Sequence, residues 1–348
     1  MILILILADA VRVSATAADE DVRTVQQKLS DQDYEVGTVD GKFGRQTADA
    51  IRQYQSDWQL LETGMITRDL IERLERKHAA TKSQWTKVEN QDCSVWNPQP
   101  AARETATWSG ACADGKSTGS GKLVWRYFRQ GRYLEGSYEG GSRDGKSHGQ
   151  GVSTSADGDR YEGEWRDGSF HGRGIFVDAG GRYEGEFRDD KQNGQGTLIW
   201  ADGSRYEGEY RDGSFHGRGI FVDAGGRYEG EFRDGKKNGQ GTLIWADGSR
   251  YEGWWRDDKF DGIGGHFRSD GTHYSGLLRD GKYHGFGTFK WPNGNKYEGN
   301  WEDGFPQGIG KYFQASKGEE YFGMWRHGCF RDSSGWAALF MTSTDCGF

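Results

Sequence analysis

The 348-residue sequence has only four prolines and no run of the roughly 18 apolar residues that a membrane-spanning helix needs. It also lacks a basic segment, since 45 lysines and arginines are interleaved with 53 aspartates and glutamates, for a net charge of -8. A protein that follows nucleic-acid phosphates needs a basic face, so no nucleic-acid partner is expected. Disorder is a poor explanation as well, because Trp, Tyr and Phe recur at regular positions among 56 glycines.

Cysteine is scarce, and its four copies form two local pairs, Cys93 with Cys112 and Cys329 with Cys346. Four cysteines allow three disulfide connectivities, and closeness in sequence favours the local one. If these disulfides form, the protein belongs in an oxidising compartment. The alternative is four unrelated buried thiols in a cytosolic protein.

The N-terminal segment, residues 1–18, is similar to a signal peptide. It has an apolar run from Ile2 to Ala8 and the triplet Ala15-Thr16-Ala17, which signal peptidase could cleave after. It has no basic start, and Asp9 and Arg12 interrupt it, so the true start could lie upstream. An exported protein of the periplasm or cell envelope is therefore expected, with a frayed apolar segment as the alternative.

A 45-residue stretch, 161–205, is followed at once by a nearly identical copy, 206–250. The copies contain two shorter units each, and every unit begins with an aromatic residue followed by Glu-Gly or a variant of it. In YEGEW the aromatic and glycine residues alternate with glutamates, which is the period of a β-strand. Asp-Gly turns separate the strands, so each unit is predicted to be a β-hairpin. The strong unit starts are Tyr161, Tyr183, Tyr206, Tyr228, Tyr251, Tyr274, Tyr297 and Tyr321.

A single hairpin cannot bury enough apolar surface, so the units are predicted to stack edge to edge. We expect an elongated antiparallel sheet over residues 93–327, with the Cys93/Cys112 pair at its N-terminal end. Glycine is usually avoided inside strands, so its regular columns indicate that bulky aromatic rings approach closely.

The aromatic rows are the candidate binding surface of the repeats, because Tyr and Trp rings can stack on sugars or lie at a membrane interface. The alternative is that these rings pack over the glycine columns and hold the sheet together. The residues concerned are Tyr161, Trp165, Tyr183, Tyr206, Tyr228, Tyr251 and Tyr297.

From Trp108 to about Trp325 the units closely resemble MORN repeats, whose pattern is approximately YEGxWxxGxxHGxGxxxxxDGxx. The resemblance implies an elongated, twisted and grooved β-sheet. It also implies roles in lipid or membrane contact, protein scaffolding and dimerisation, generally without catalysis.

Residues 21–78 differ from the repeats because they are poor in glycine and carry apolar residues at helical spacing. Three short helices around one small core are predicted, the third beginning at Thr67. The polar segment 79–92 is predicted to be a linker, and residues 328–348 a C-terminal disulfide cap over the last strand edge. The fold class is thus α+β multidomain: a small three-helix domain followed by a sheet of tandem β-hairpin repeats.

The segment Val25 to Leu74 strongly resembles the peptidoglycan-binding domain that is fused to many wall hydrolases. Departures at Asp33, Val36, Thr38 and Gln59 weaken the implied glycan affinity more than the implied fold. The segment DGKFG has two interpretations, a turn in which Phe43 fills the core or a loop that contacts the ligand. The candidate peptidoglycan-binding residues implied by the resemblance are Tyr34, Asp40, Gly41, Phe43, Gly44 and Thr47.

No catalytic, metal-binding or cofactor-binding residues are predicted. Four histidines recur before a glycine, but adjacent units lie about 9.6 Å apart, too far for one shared ion. The repeated glutamates, such as Glu162, Glu164, Glu184 and Glu186, offer no unique acid pair for glycoside hydrolysis. They are predicted to form a solvated face balanced by cross-strand arginines.

These observations predict a non-enzymatic cell-envelope protein. Its first domain would bind peptidoglycan, and its repeat sheet would be a scaffold for an unidentified protein or polymer. Two alternatives remain: a tether between wall and membrane with lipid-binding repeats, and an accessory or regulatory subunit of a wall-remodelling enzyme.

Overall fold

The computed structural model describes residues 18–32, 34–58, 60, 62–68, 70–71, 73–74, 84–98, 103–129, 132–333 and 335–347. The signal-peptide-like segment up to residue 17, together with Asp33 and Gln59, lies outside the described residues. The chain divides into two compact units, residues 1–170 and 171–348, and each is described by itself.

The first unit begins with two helices, α1 (Ala18–Ser30) and α2 (Arg45–Asp57). Their apolar residues recur at helical spacing, so Val25 and Leu29 of α1 meet Ile51 and Tyr54 of α2 in one small core.

The predicted count of three helices is not confirmed, because only these two helices have described bounds. Thr67 nevertheless behaves as a cap, since the Leu70 N–H donates to its side-chain oxygen at 3.1 Å. The Ile71 N–H donates to the Thr67 carbonyl at 3.0 Å.

The first unit then continues in β-strands. The hairpin β1–β2 is antiparallel, and β5, β6, β7 and β8 pair antiparallel in chain order. Strand β1 lies inside residues 79–92, so the prediction of a plain linker there is wrong. The bounds are β1 (Gln84–Lys87), β2 (Ser94–Asn97), β3 (Thr105–Trp108), β4 (Ala111–Ala113), β5 (Lys116–Arg129), β6 (Arg132–Arg143), β7 (Lys146–Thr154) and β8 (Arg160–Arg166).

The second unit carries a long run of strands in which each strand from β9 to β22 pairs antiparallel with the next. This arrangement confirms the sheet of tandem hairpins. The bounds are β9 (Ser169–Asp178), β10 (Gly181–Arg188), β11 (Lys191–Trp200), β12 (Arg205–Arg211), β13 (Ser214–Asp223), β14 (Gly226–Arg233), β15 (Lys236–Trp245), β16 (Arg250–Arg256), β17 (Lys259–Phe267), β18 (His273–Arg279), β19 (Lys282–Lys290), β20 (Lys296–Glu302), β21 (Phe305–Gln314), β22 (Glu319–Trp325), β23 (Cys329–Asp332) and β24 (Gly335–Ala338).

The Asp-Gly turns have the backbone that tight hairpins require. Asp212 and Gly213 both have positive φ, 48° and 86°, which is the pattern of a type I′ turn. Because Asp and Gly tolerate this conformation best, the repeated Asp-Gly pair fixes where each hairpin reverses.

Each glycine column accommodates tyrosine rings, as Tyr206 illustrates. Gly208 faces Gly219 across β12 and β13, and the Tyr206 ring lies over both glycines. A Cβ added at Gly219 would lie 2.5 Å from the Tyr206 hydroxyl oxygen and 2.7 Å from two ring carbons. The hydroxyl group donates to the Glu209 carbonyl at 3.0 Å. The expected close approach of rings to glycines is therefore confirmed.

The same packing corrects the candidate binding surface of the repeats. All seven predicted aromatic residues are at most 9% exposed, so they form the core of the sheet and present no free surface. Burial also raises the pKa of the Tyr206 hydroxyl group. One face of each hairpin has to be buried for the sheet to be stable, and these aromatic residues lie on that face. The residues are Tyr161, Trp165, Tyr183, Tyr206, Tyr228, Tyr251 and Tyr297.

Both local disulfides, Cys93–Cys112 and Cys329–Cys346, are present. The C-terminal segment forms the separate pair β23–β24. Its Phe330 is buried against Trp325 and Tyr321 of β22, at ring-centroid distances of 5.2 Å and 6.0 Å. The C-terminal segment thus packs on β22, the last strand of the long sheet, through the Phe330 ring.

Candidate functional site

The loop 40–44 of the helical domain is held by one buried glutamine, Gln26 of α1. Its side-chain oxygen accepts the Gly41 N–H at 2.9 Å. Its amide nitrogen donates to the Lys42 carbonyl and to the Thr47 side-chain oxygen, at 3.1 Å each. Gln26 therefore fixes the loop from one side and the first turn of α2 from the other.

Three of the predicted ligand residues reach the surface of this loop. Asp40 and Gly44 are exposed, and the Phe43 ring is 50% exposed. The interpretation in which Phe43 fills the core is therefore wrong. An aromatic ring held half in water by a rigid loop is available for stacking on a flat or apolar ligand surface.

The other three predicted residues are structural. Gly41 is buried with φ of 79°, and its position beside the Asp19 carbonyl leaves no room for a side chain. Thr47 is buried and receives the Gln26 hydrogen bond. Tyr34 is buried elsewhere in the domain, where its hydroxyl group donates to Asp57 at 3.0 Å. These three are corrected from ligand contacts to positions that support the loop or the core.

The pKa values of Asp40 and Tyr34 are shifted in opposite directions. The Lys42 N–H donates to the Asp40 carboxylate at 2.8 Å and holds the pKa of that carboxyl group below its usual range. Asp40 is therefore a charged acceptor at the surface at neutral pH. At Tyr34, burial is the main cause of a raised pKa, so the hydroxyl group stays protonated and acts as a donor.

A second candidate surface is the face of the second unit opposite the tyrosines. The first glutamates of the units at Tyr183 and Tyr228 are exposed and paired with arginines, as predicted, but the partner is on the same strand. Arg182 bonds Glu184 at 2.6 Å and Arg227 bonds Glu229 at 2.6 Å, each two residues along the chain. The prediction of cross-strand partners is wrong there, because residues i and i+2 of a strand share a face and long side chains reach each other.

The second glutamate has a different role in the units at Tyr183, Tyr206 and Tyr228. Within each of these hairpins a β-bulge follows the glycine pair, and the glutamate side chain accepts a backbone N–H at that bulge. Glu186 accepts the Gln195 N–H at 3.1 Å, and Glu209 accepts the Arg218 N–H at 3.2 Å. These carboxylates stabilise the hairpins and are not free acids.

A row of exposed apolar residues that was not predicted from the sequence lies on this face. We call it the apolar column, and its side chains are 42% to 69% exposed. The row could have been predicted from the sequence, because these apolar residues occupy positions at which earlier units have Glu, Arg or Gln. The apolar column consists of Trp254, Ile263, Leu277, Phe286, Ile309 and Met324.

Among the residues that the structure describes, no group of three or more His, Cys, Asp or Glu is placed to hold a metal ion. Within the same residues, none of the helices has the length and apolar character needed to cross a membrane.

Comparison with known families identifies both parts of the chain. Residues 18–74 match the family described as "Putative peptidoglycan binding domain". Seven segments match the MORN repeat, namely 138–160, 161–181, 183–205, 206–226, 228–250, 274–296 and 297–318. The chain is thus a MORN-repeat protein with an N-terminal peptidoglycan-binding domain. The unit at Tyr251 is outside the matched segments but has the same geometry, since its hydroxyl group donates to the Trp254 carbonyl at 2.9 Å.

No curated protein matches the chain. Among solved structures it is similar to the TCP domain of SAS-4 (dCPAP) in complex with a proline-rich motif of Ana2 (dSTIL) from Drosophila melanogaster, at 10% identity and a TM-score of 0.26. That similarity covers 51% of this chain and 90% of the other. A TM-score of this size carries no argument about fold or function.

Proposed function

We propose that the protein is a non-enzymatic scaffold of the cell envelope that binds peptidoglycan through its first domain and a partner through its repeat sheet. The matched domains are binding domains rather than catalytic ones, which supports a binding or scaffold role. The observation that carries the wall-binding half is the loop 40–44. Gln26 holds it in place, and the loop presents the half-exposed Phe43 ring and the exposed Asp40 carboxylate to solvent.

Phe43 is the residue we expect to contribute most to wall binding. Phe43→Ala removes the exposed ring without opening a cavity, so the melting temperature should stay within about 2 °C while peptidoglycan binding falls at least fivefold. Loss of one stacking ring of this kind typically costs about 1 kcal/mol or more. The measurement is co-sedimentation of the full chain with purified insoluble peptidoglycan.

Met65 provides the matched control, because it is an exposed apolar residue of the same domain, 63% exposed, away from the 40–44 loop in sequence. Met65→Ala should sediment like the unaltered chain. Equal losses for the two variants would remove the loop from the proposal. Full retention by Phe43→Ala would do the same.

An exported location is part of the proposal, and the two disulfides support it. We expect all four cysteines to resist alkylation in intact native cells and to react only after reduction. Mass spectrometry of alkylated protein measures this directly. Four thiols that react freely without reductant would place the protein in a reducing compartment and contradict the envelope assignment.

A further inference from the structure

An open groove of about 910 Å³ runs across β11 to β18 on the face of the second unit opposite the tyrosines. Its floor is the backbone of a row of facing glycines, which includes the pairs Gly208–Gly219 and Gly230–Gly241. The residues before and after each glycine point to the groove side, because neighbouring residues of a strand alternate between faces. They form two walls, whose Cα rows lie about 6.6 Å apart. We call this feature the polar groove.

The first wall of the polar groove repeats one ion pair at every second strand. Glu229 bonds Arg227, two residues earlier on its strand, at 2.6 Å. Glu252 bonds Arg250 in the same way and at the same distance. Thr242 lies on the strand between them and faces both glutamates in the register. The ion pair therefore recurs about every 9.6 Å along the groove, which is two strand spacings.

The second wall carries hydrogen-bonding side chains and one exposed aromatic ring, Trp254, which is 47% exposed. Gln240 faces Trp254 across β15 and β16, and Arg218 faces Glu231 across β13 and β14. Trp254 occupies the position that Glu231 has in the duplicated unit, where the carboxylate accepts the Gln240 N–H at 3.2 Å. An indole ring cannot accept that bond, and it exposes apolar surface to water. Folding of the hairpin therefore does not account for Trp254.

The walls carry almost no net charge. A polyanion or a polycation would find no complementary charge there. Hydroxyl and amide groups, in contrast, can bond to carboxylates, guanidinium groups and side-chain amides alike. From β12 to β16 the walls and the arginines bonded to them hold five carboxylates and four guanidinium groups, namely Glu207, Glu209, Glu229, Glu231 and Glu252 with Arg205, Arg218, Arg227 and Arg250.

The dimensions of the polar groove favour a glycan as its occupant. An α-helix with its side chains is about 10–12 Å across, too wide to enter between walls whose Cα rows lie about 6.6 Å apart. One face of an extended peptide repeats about every 6.6 Å and loses register with strands about 4.8 Å apart. In a 1,4-linked glycan one sugar ring is about as long as one strand spacing, so one disaccharide spans one hairpin. Successive disaccharides can then meet the same ion pair, and the Trp254 ring can stack on the C–H face of a sugar.

We propose that the polar groove binds a 1,4-linked glycan of uncharged, N-acetylated sugars, the chemistry of a peptidoglycan strand. The matched peptidoglycan-binding domain of the same chain would hold the sheet beside such a polymer and raise its local concentration. This proposal rests on the scaffold half of the proposed function and names its partner as a polymer. Co-sedimentation with peptidoglycan and its dependence on Phe43 test the first domain separately, so the two proposals fail independently.

The test titrates the full chain with β-1,4-linked N-acetylglucosamine oligomers of two, four and six sugars by isothermal titration calorimetry. Trp254→Glu is the test variant, because Glu is the residue of the duplicated units. Phe322→Glu is the matched control, since Phe322 is 66% exposed on β22 and does not line the groove. Both variants are also made together with Phe43→Ala, which removes the ring that we expect to contribute most to wall binding by the first domain.

We expect the six-sugar oligomer to bind at least tenfold more tightly than the two-sugar oligomer, since each added disaccharide meets another hairpin. Trp254→Glu should weaken six-sugar binding at least fivefold, with or without Phe43→Ala. Phe322→Glu should leave it unchanged. The melting temperature of Trp254→Glu should not fall, because an exposed residue changes to the one that the duplicated units carry.

Three results would overturn the proposal. The first is no binding of the six-sugar oligomer, or equal affinity for two and six sugars. The second is six-sugar binding that Trp254→Glu retains; if Phe43→Ala abolishes it, all sugar binding belongs to the first domain. The third is Trp254-dependent binding to vesicles of anionic phospholipid without oligosaccharide binding, which would assign the groove to a lipid surface.

Discussion

Gly219→Ala is expected to lower the free energy of unfolding of the repeat sheet by about 1–3 kcal/mol, the usual cost of overpacking a core. The three atoms nearest the new methyl group all belong to the Tyr206 side chain, the hydroxyl oxygen at 2.5 Å and two ring carbons at 2.7 Å. Tyr206→Ala should cost more, about 3–5 kcal/mol, because it empties a fully buried site. Urea denaturation followed by tryptophan fluorescence measures both.

A double variant that combines Gly219→Ala with Tyr206→Ala shows whether the new methyl group clashes with the Tyr206 ring or whether position 219 tolerates no side chain at all. With the Tyr206 ring removed, the methyl group at Gly219 enters the vacated space, so the double variant should be no less stable than Tyr206→Ala alone. Gly208→Ala is the contrasting case, since two of its nearest atoms are backbone, the Arg218 oxygen and the Gly219 Cα, both at 2.6 Å. Removal of Tyr206 should not rescue it. Additive losses in the Gly219 pair would contradict the packing described for the glycine column.

The hairpin sheet was predictable because its determinants are local and repeated. Aromatic, Glu and Gly residues alternate with period two, and Asp-Gly pairs tolerate the positive φ of type I′ turns, so one unit specifies its own fold. The packing of tyrosine over glycine was predictable for the same reason. A strand with glycine on one face has to receive a bulky neighbour there, and Tyr206 is the neighbour two residues away.

The candidate sites were less predictable, because they depend on which face reaches water. Phe43 and Tyr34 are both aromatic residues of the matched domain, yet one is half exposed and the other is buried against Asp57. The hydrogen bonds of Gln26, an ordinary glutamine in the sequence, fix the position of the loop 40–44 together with those of Arg23 and Asp40. The apolar column was missed for another reason: the repeats were interpreted by what they share, whereas Trp254 and Phe286 mark where the units differ.

Gln26→Leu is expected to cost about 2–3 kcal/mol of domain stability and most of the peptidoglycan binding. Leucine has a similar size, so the packing is kept while the Gly41 N–H and the Thr47 hydroxyl group lose their buried partner. An unsatisfied buried donor costs about 1–3 kcal/mol. Without the Gln26 hydrogen bonds the loop keeps only the Arg23 contact with α1 among those described, so it holds Phe43 less firmly, and ordering it again on binding costs affinity.

The same domain contains a matched control for this prediction. Gln55 of α2 is also buried, accepts the Gly64 N–H at 2.9 Å and donates to the Thr63 side chain at 2.9 Å. It therefore holds a second loop by the same means, at a different place in the sequence. Gln55→Leu should destabilise the domain by a similar amount but leave wall binding intact when both variants are assayed well below their melting temperatures. If the two variants lose peptidoglycan binding equally, the loss reflects domain stability, and the loop 40–44 is not the ligand site. If only Gln26→Leu loses it, the position of the loop 40–44 controls binding, since both substitutions remove the buried acceptor of a glycine N–H.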